Sequence, residues 1–235
     1  MFTNISKELQ KLADPIKAKI LSGYFKTGKG EYGEGDIFIG IVVPKIRKVA
    51  YQFIDIDFDS IERLLNSKIH EYRLVALEIL VAKYENTKDQ KLKDKIYKFY
   101  LKNTKSINNW DLVDLSASYI VGDYLLKNDR KILYKLAESK NLWERRISII
   151  STHAFIKEGQ YDDTFNICEI LLKDKHDLIH KATGWMLREV GKRISMAIEM
   201  KFLDKHAKEM PRIMLSYAIE HFDDKSRIFY KNNNK

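Results

Sequence analysis

The chain has 235 residues, a mass of 27.7 kDa and a formal net charge of +9, since 42 Lys and Arg residues outnumber 33 Asp and Glu residues. Its hydrophobic content of 45% and mean hydropathy of −0.39 are typical of a globular protein and not of a disordered chain. The single cysteine, Cys168, excludes an internal disulfide and a cysteine-rich zinc module. No apolar run approaches the roughly 20 residues of a membrane span, so we expect a cytosolic protein. The positive charge favours a polyanionic partner, either nucleic acid or an anionic membrane surface.

The predicted elements are helices joined by one conspicuous loop. Residues 4–22 predict a first helix and residues 23–43 a loop, and Pro44 is predicted to be the first residue of the next helix. Six of the ten glycines fall in this loop, most of them within a Gly-rich segment at 26–40. Beyond it, apolar residues recur at helical spacing with few alternating runs. We therefore predict a single all-α domain over residues 1–235.

From residue 57 onward the predicted helices come in pairs, and the second helices share a pattern: a basic residue followed by a compact apolar run. The position of the basic residue recurs at intervals of 31 to 38 residues, and in one repeat an acidic residue occupies it. The residues are Arg73, Asp111, Arg146, Lys181 and Arg212. Such a repeat predicts a right-handed solenoid of HEAT-like or armadillo-like helix pairs, because each pair covers its apolar face only by stacking on the next. We expect the second helices to line a concave basic groove that suits duplex DNA. The last residues, 230–235, are predicted to form a frayed tail.

The predicted helix that begins at Trp110 carries a carboxylate on its apolar face. The stripe at helical spacing consists of Trp110, Asp114, Ala117, Val121 and Leu125. Asp114 has two interpretations: it hydrogen-bonds or ion-pairs with a neighbouring element, or it is a catalytic carboxylate beside an aromatic wall. Asp111, near the start of the helix after the cap candidates Asn108 and Asn109, complements the helix dipole.

The predicted helix around Trp143 presents a regular apolar stripe. Its members are Trp143, Ile147, Ile150 and Ala154, so Trp143 is interpreted as a core anchor. Arg145 and Arg146 lie beside this stripe, where a guanidinium group either pairs with a carboxylate or binds a phosphate.

Trp185 is predicted to lie outside the core of its helix. The core stripe there consists of Ile179, Ala182, Met186 and Val190. Trp185 is instead surrounded by Lys181, Arg188 and Lys192, so we expect an exposed indole among cations. Such a side chain either contacts nucleic acid or covers a junction between repeats.

Two other patterns suggest sites and are weaker. The segment from Thr27 to Asp36 lacks the Gly-Lys-Ser/Thr ending of a nucleotide-binding loop, so it is either a connector or a loop whose backbone amides, with Lys26 and Lys29, approach a phosphate backbone. His176 and His180 have metal-pair spacing without a third ligand, so we interpret them as surface histidines and expect no metal.

Four motifs occur together in one order along the chain. They are the Gly-rich segment with the following helix (FKTGKGEYGEGDIFIGIVVPKIRKV), Trp110-Asp-Leu-Val-Asp114, Leu142-Trp-Glu-Arg-Arg146 and Lys181-Ala-Thr-Gly-Trp185. In this order and spacing the chain resembles the AlkD-like family of bacterial DNA alkylation repair glycosylases, which are HEAT-like repeat proteins. MPRIMLSYAIEHF resembles the last helices of that family.

The resemblance implies removal of N3- or N7-alkylated purines from duplex DNA by hydrolysis, by a monomer without cofactor. It places the catalytic aspartate at Asp114, the two cleft tryptophans at Trp110 and Trp185, and the phosphate-anchoring arginine at Arg146. Arg145 stands where neutral residues are common in the family, so which of the two arginines reaches the phosphate stays open.

We also expect a set of basic DNA contacts outside these four positions. The candidates are Lys26, Lys29, Arg47, Arg73, Arg145, Lys181, Arg188 and Arg212. The alternative function is a non-catalytic helical-repeat module that binds nucleic acid or an acidic protein face through the same groove. Asp114 argues against that alternative, because an anion-binding groove gains nothing from a carboxylate.

Overall fold

The computed structural model describes residues 2–233, and over this range it is helical. The one strand-like pairing among these residues is an isolated parallel bridge between Ile37 and Ile69. Contacts divide the chain into two compact units, unit 1 with residues Met1–Ile120 and unit 2 with residues Val121–Lys235. The boundary lies within the span of the single domain that the sequence predicts. Within the described range, every helix is too short or too polar to cross a membrane.

Unit 1 contains seven helices in its described residues. They are α1 (Phe2–Lys11), α2 (Pro15–Tyr24), α3 (Val43–Gln52), α4 (Phe58–Leu65), α5 (His70–Asn86), α6 (Gln90–Lys102) and α7 (Trp110–Asp114), with a 3₁₀ turn at Thr104–Ser106. Helix α5 is the central one: it is buried over most of its length and packs against α1, α3, α4, α6 and α7. The burial of its middle follows from the apolar run at 74–82, which only Glu78 interrupts.

The prediction of one helix over residues 4–22 is wrong in one respect, because the structure has two helices there, α1 and α2, with a non-helical segment between them. The Asp14 carboxylate accepts hydrogen bonds from the backbone amides of Ile16 and Lys17, both at 3.1 Å. Pro15 then occupies the first turn, where its missing N–H costs nothing. At the other end of the loop, α3 begins at Val43, so Pro44 is its second residue and not its first.

Unit 2 contains nine helices in its described residues. They are α8 (Asp123–Leu125), α9 (Lys131–Ala137), α10 (Leu142–Ser151), α11 (His153–Lys157), α12 (Asp162–Leu171), α13 (Asp177–Arg193), α14 (Met196–His206), α15 (Arg212–Ala218) and α16 (Asp224–Asn233), with a 3₁₀ turn at Ile219–His221. Helix α13 packs against α10, α12, α14 and α15. At Gly184, α13 approaches α15 so closely that an added Cβ would lie 2.3 Å from the Met214 carbonyl oxygen.

The apolar stripes predicted for α10 and α13 are confirmed. Trp143 and Ile147 are buried on the first of these helices, and Ile179 and Met186 on the second. Each stripe faces the neighbouring helix, which is how a helix with one apolar side removes it from water.

The predicted helix beyond Trp110 is interrupted. Helix α7 ends at Asp114, a turn follows, and the chain then forms a π-helix at Ser118–Gly122 before α8. Ala117 is buried all the same, as the stripe predicts. Val121 and Leu125, the remaining members of the predicted stripe, are buried too, so the π-helical segment interrupts the α-helix without exposing the stripe.

The polar residue that recurs in the second helices makes a different contact from the predicted one, and in two of the helices it is a different residue. In α5, α10 and α13 the fourth helical residue bonds the backbone carbonyl six positions earlier. The bonds are Arg73 to Ser67 at 2.8 Å, Arg145 to Ser139 at 2.9 Å and His180 to Asp174 at 2.6 Å. The repeated polar contact therefore closes the turn before each helix, and in α10 and α13 it lies one residue before the predicted Arg146 and Lys181.

The predicted frayed tail does not begin at Tyr230. Helix α16 continues to Asn233, Tyr230 is buried, and its hydroxyl donates a 2.7 Å hydrogen bond to Asp204. The phenol anchors the last helix against α14. The rest of the predicted tail, residues 234–235, lies outside the described residues.

Candidate functional site

Helix α7 places Trp110 and Asp114 one turn apart on the same side. Asn109 caps the helix, since its side-chain oxygen accepts a 2.8 Å hydrogen bond from the backbone amide of Trp110. Asn109 is fully buried, whereas Trp110 and Asp114 are half-buried. The helix start is thus fixed in the interior while two of its side chains reach the surface.

Aromatic side chains from the end of α2 and from the loop that follows it hold the Trp110 indole. The Phe25 ring stacks on it with centroids 5.1 Å apart and an interplanar angle of 9°. Tyr24 contacts it edge-on at 6.0 Å, and Phe38 stacks on the far side of Phe25 at 4.9 Å. Stacked rings resist rotation of the indole, so Trp110 presents a fixed surface.

Asp114 lines a pocket of about 390 Å³ within unit 1. The other lining residues are Arg47, Tyr51, Glu78, Val81, Ala82, Glu85, Leu115 and Tyr119. Arg47 donates to Glu78 at 2.8 Å, and burial raises the pKa of the Glu78 carboxyl despite this partner. The pocket combines three carboxyl groups with two tyrosines, a composition that attracts an aromatic cation.

The motifs that predicted Asp114 did not identify the other carboxyl groups of the pocket. Glu78 and Glu85 are seven residues apart on α5, so they lie on the same side of that helix. The seven-residue spacing was the only sequence pattern that could have pointed to these two glutamates. It did not indicate that this side of α5 would contact the end of α7.

In unit 2, Trp185 is half-buried, and its indole bonds a glutamate. Its indole N–H donates to Glu189 at 3.2 Å, and the His153 ring lies 6.1 Å from its own. Glu189 also accepts from Arg193 at 2.6 Å. Burial disfavours the Glu189 carboxylate, but hydrogen bonds from Arg193 and Trp185 outweigh it and lower its pKa. The prediction that the indole is exposed is therefore wrong, and its bond to Glu189 was not predicted.

Arg145 and Arg146 are held by different partners. Arg145 Nε donates to Asp174 at 2.5 Å. Arg146 is 5% exposed, and its Nη1 donates to the backbone carbonyl of Leu178, near the start of the helix that carries Trp185. Both guanidinium groups thus connect α10 to the chain at or just before α13.

The remaining predicted DNA contacts differ in exposure. Exposed candidates are Lys26, Lys29, Arg47 and Arg212, and half-buried ones are Lys181 and Arg188. Arg188 pairs with Glu220. Arg73 is 3% exposed and its Nη2 lies 2.6 Å from Asp36 Oδ2, so it is an interior ion pair and not a surface cation.

The Gly-rich loop satisfies two of its own amides. Glu31 accepts from the backbone N–H of Gly28 at 2.9 Å, and Glu34 accepts from that of Gly30 at 2.8 Å. These two amides are therefore already bonded to carboxylates and do not form an anion-binding nest.

The two histidines with metal-pair spacing cap helix α13. His176 Nδ1 accepts from the Leu178 amide at 3.1 Å, and His180 is buried, so interpreting His180 as a surface histidine was wrong. Among the described residues, no group of three or more His, Cys, Asp and Glu side chains is arranged to hold a metal ion.

Comparison with known proteins relates this chain to DNA repair. A family model described as DNA alkylation repair enzyme matches residues 5–222. A solved structure described as a predicted DNA alkylation repair enzyme from Enterococcus faecalis has a TM-score of 0.71 and 16% identity, covering 90% of this chain and 97% of that one. No curated protein matches. The structural similarity shows a shared fold, and the family match covers nearly the whole chain. The chain therefore belongs to the family of DNA alkylation repair enzymes.

Proposed function

We propose that this protein is a DNA glycosylase that hydrolyses the glycosidic bond of cationic N3- or N7-alkylated purines in duplex DNA. The observation that carries the proposal is the position of Asp114, at the rim of an acidic and aromatic pocket and one turn from a tryptophan held by stacked rings. A purely anion-binding module has no use for three carboxyl groups in one pocket.

The chemistry explains why so few groups are needed. An N-alkylated purine already carries a positive charge, so it leaves as a neutral base without a general acid, unlike an ordinary glycoside that requires two carboxyl groups. Asp114 stabilises the positive charge that develops on the sugar and positions the attacking water. Trp110 packs against the sugar and, with the tyrosines of the pocket, favours a cationic base.

The residues of unit 2 bind the DNA backbone in this proposal. The resemblance to the AlkD-like glycosylases assigns the phosphate to Arg146 and the second cleft indole to Trp185. We propose that these two residues and Asp114 act on the same duplex. The exposed Lys29 and Arg212 then add phosphate contacts, so DNA affinity falls with salt by a log–log slope of about −0.9 per phosphate contacted.

The decisive experiment replaces Asp114 and follows two substrates. Single-turnover release of 7-methylguanine by Asp114→Asn is expected to fall by about 10²–10³-fold, because the amide keeps the shape but not the charge. Affinity for DNA should be equal or higher. Uracil should stay in place with either protein, since its departure demands an acid that the site lacks.

Asp59→Asn is the matched control, because Asp59 is an exposed carboxylate of α4 in the same unit. It should excise at the wild-type rate. Full 7-methylguanine release by Asp114→Asn removes Asp114 from the mechanism, and efficient uracil release contradicts the leaving-group argument. Tight DNA binding without release of any base identifies a non-catalytic binding module instead.

A further inference from the structure

His70, the first residue of α5, joins two segments that are distant in sequence. Its ring is 1% exposed, with Nδ1 3.1 Å from Asp36 Oδ2 in the Gly-rich loop and Nε2 2.8 Å from Asp111 Oδ2 in α7. Ionised carboxylates only accept hydrogen bonds, so a ring between two of them donates from both nitrogens. Donation from both nitrogens at once requires the imidazolium form of His70, whereas a neutral ring with its hydrogen on Nε2 donates only to Asp111 and accepts from Arg73 at Nδ1.

The charges around His70 support this form. Asp36 faces it from the loop, Asp111 from α7, and Arg73 from its own helix, with Arg73 Nη2 3.4 Å from Nδ1. Burial disfavours the charged ring and Arg73 repels it, but the Asp111 charge and the two hydrogen bonds outweigh both and raise the His70 pKa. Burial also disfavours ionised Asp36, yet bonds from His70 and the charge of Arg73 lower its pKa.

The same ring belongs to the aromatic support of Trp110. His70 stacks on Phe38 with centroids 4.4 Å apart, and Phe25 lies 5.1 Å from it. Phe25 in turn stacks on Trp110. His70 therefore touches α7 twice, directly through Asp111 and indirectly through the stacked rings.

Helix α7 needs such external support. It has five residues, too few to be stable by itself in water, so its position is set by side-chain contacts. Asp111 is adjacent to Trp110 and three residues from Asp114. A charge-assisted hydrogen bond to Asp111 therefore fixes the orientation of both.

We propose that His70, as an imidazolium ion bound between Asp36 and Asp111, is a positioning residue that holds Trp110 and Asp114 in place for base excision. The inference rests on the proposed glycosylase function. Loss of the His70 proton removes the charge from the bond to Asp111 and leaves the other ring nitrogen unable to donate to Asp36, and both changes weaken the hold of His70 on the start of α7. Excision is then expected to decline at alkaline pH as His70 loses its proton.

The test measures two pH profiles between pH 6 and 10.5. One is the single-turnover rate of 7-methylguanine release, and the other is the NMR signal of the Trp110 indole N–H, assigned with Trp110→Phe. In Asp111→Asn the amide oxygen still accepts from His70 but the charge is gone. Both midpoints should therefore move to lower pH by about 1 unit or more, while the low-pH rate is retained.

Other variants separate His70 from its neighbours. His70→Gln should abolish the alkaline decline and leave a slower, pH-independent rate. Tyr32→Phe removes the phenol that accepts a hydrogen bond from the Trp110 indole, and its midpoint should equal that of the wild type. The indole signals of Trp143 and Trp185, both in unit 2, serve as internal references.

The outcomes distinguish this proposal from the proposed function. An unmoved midpoint in Asp111→Asn, an alkaline decline that persists in His70→Gln, or a Trp110 signal that titrates in neither protein overturns the role of His70. If the wild type releases no base, the glycosylase proposal fails, and the Trp110 signal alone still decides whether His70 positions α7.

Discussion

Two buried glutamates, one in each unit, are held in opposite ways. In unit 1, Glu71 is 1% exposed and accepts hydrogen bonds from the backbone amides of Ile39, Gly40 and Ile41 at 2.8 to 3.3 Å. In unit 2, Glu199 is 0% exposed, and neither of its oxygens has a hydrogen-bond partner among the described residues. Its close neighbour is His221 Nε2, 3.3 Å away without hydrogen-bond geometry.

This difference follows from what each carboxylate faces. The loop at 39–41 is not helical, so its amides need an acceptor from elsewhere, and Glu71 supplies it. Glu199 lies on α14 against α13, whose amides are satisfied within the helix. Burial without such donors raises the pKa of Glu199 to about 9, with Arg188 opposing the shift. One buried carboxylate thus fastens the backbone beside the candidate site, and the other retains a proton.

The largest effect is expected from Glu71→Ala. Removing the carboxylate leaves three backbone amides without a hydrogen-bond acceptor, so the free energy of unfolding should fall by about 4 kcal/mol. The matched control is Glu34→Ala, which removes an exposed carboxylate that also accepts a loop amide, and it should cost less than about 1 kcal/mol. Urea denaturation measures both, and equal losses would contradict the role assigned to burial.

Glu199→Gln should act in the opposite direction and depend on pH. Between pH 4.5, the usual Glu pKa, and about 9, folded Glu199 holds a proton that the unfolded chain has released, so wild-type stability falls as pH rises through this range. The glutamine variant loses no stability in this way and should be more stable than wild type by about 3 kcal/mol at pH 7, with equality near pH 4.

Glu209→Gln, an exposed position in the same unit, is the control for this profile. Its stability should follow that of the wild type at every pH. Thermal unfolding measured from pH 4 to 9 gives all three profiles, and parallel curves for wild type and Glu199→Gln would show that Glu199 does not carry a raised pKa.

The smallest effect concerns Glu189, which orients Trp185 in unit 2. Glu189→Ala removes the acceptor of the indole N–H and should slow 7-methylguanine release by about tenfold, the equivalent of one ordinary hydrogen bond. Glu189→Gln keeps an acceptor and should retain most of the rate. Single-turnover kinetics compare the two variants, and equal impairment would mean that the charge of Glu189, not its bond to Trp185, matters.

The amino-acid sequence by itself determined the helical class, the buried stripes of α10 and α13, and the family. These depend on local information: an apolar residue at every third or fourth position must face a neighbour, whichever neighbour that is. The motif at Trp110 and Asp114 likewise lies within one turn of one helix. The motif did not indicate that Asp114 would line a pocket.

Only the tertiary structure decided the partners of the polar residues. Arg73 was predicted to face DNA, yet it is buried against Asp36, 37 positions earlier in the chain. Trp185 was predicted to lie among cations, yet its indole bonds a glutamate. His70 gave no signal in the sequence, because its partners lie 34 and 41 residues away. A buried charged side chain needs an opposite charge or hydrogen-bond donors around it, and whether it meets them depends on how distant segments pack.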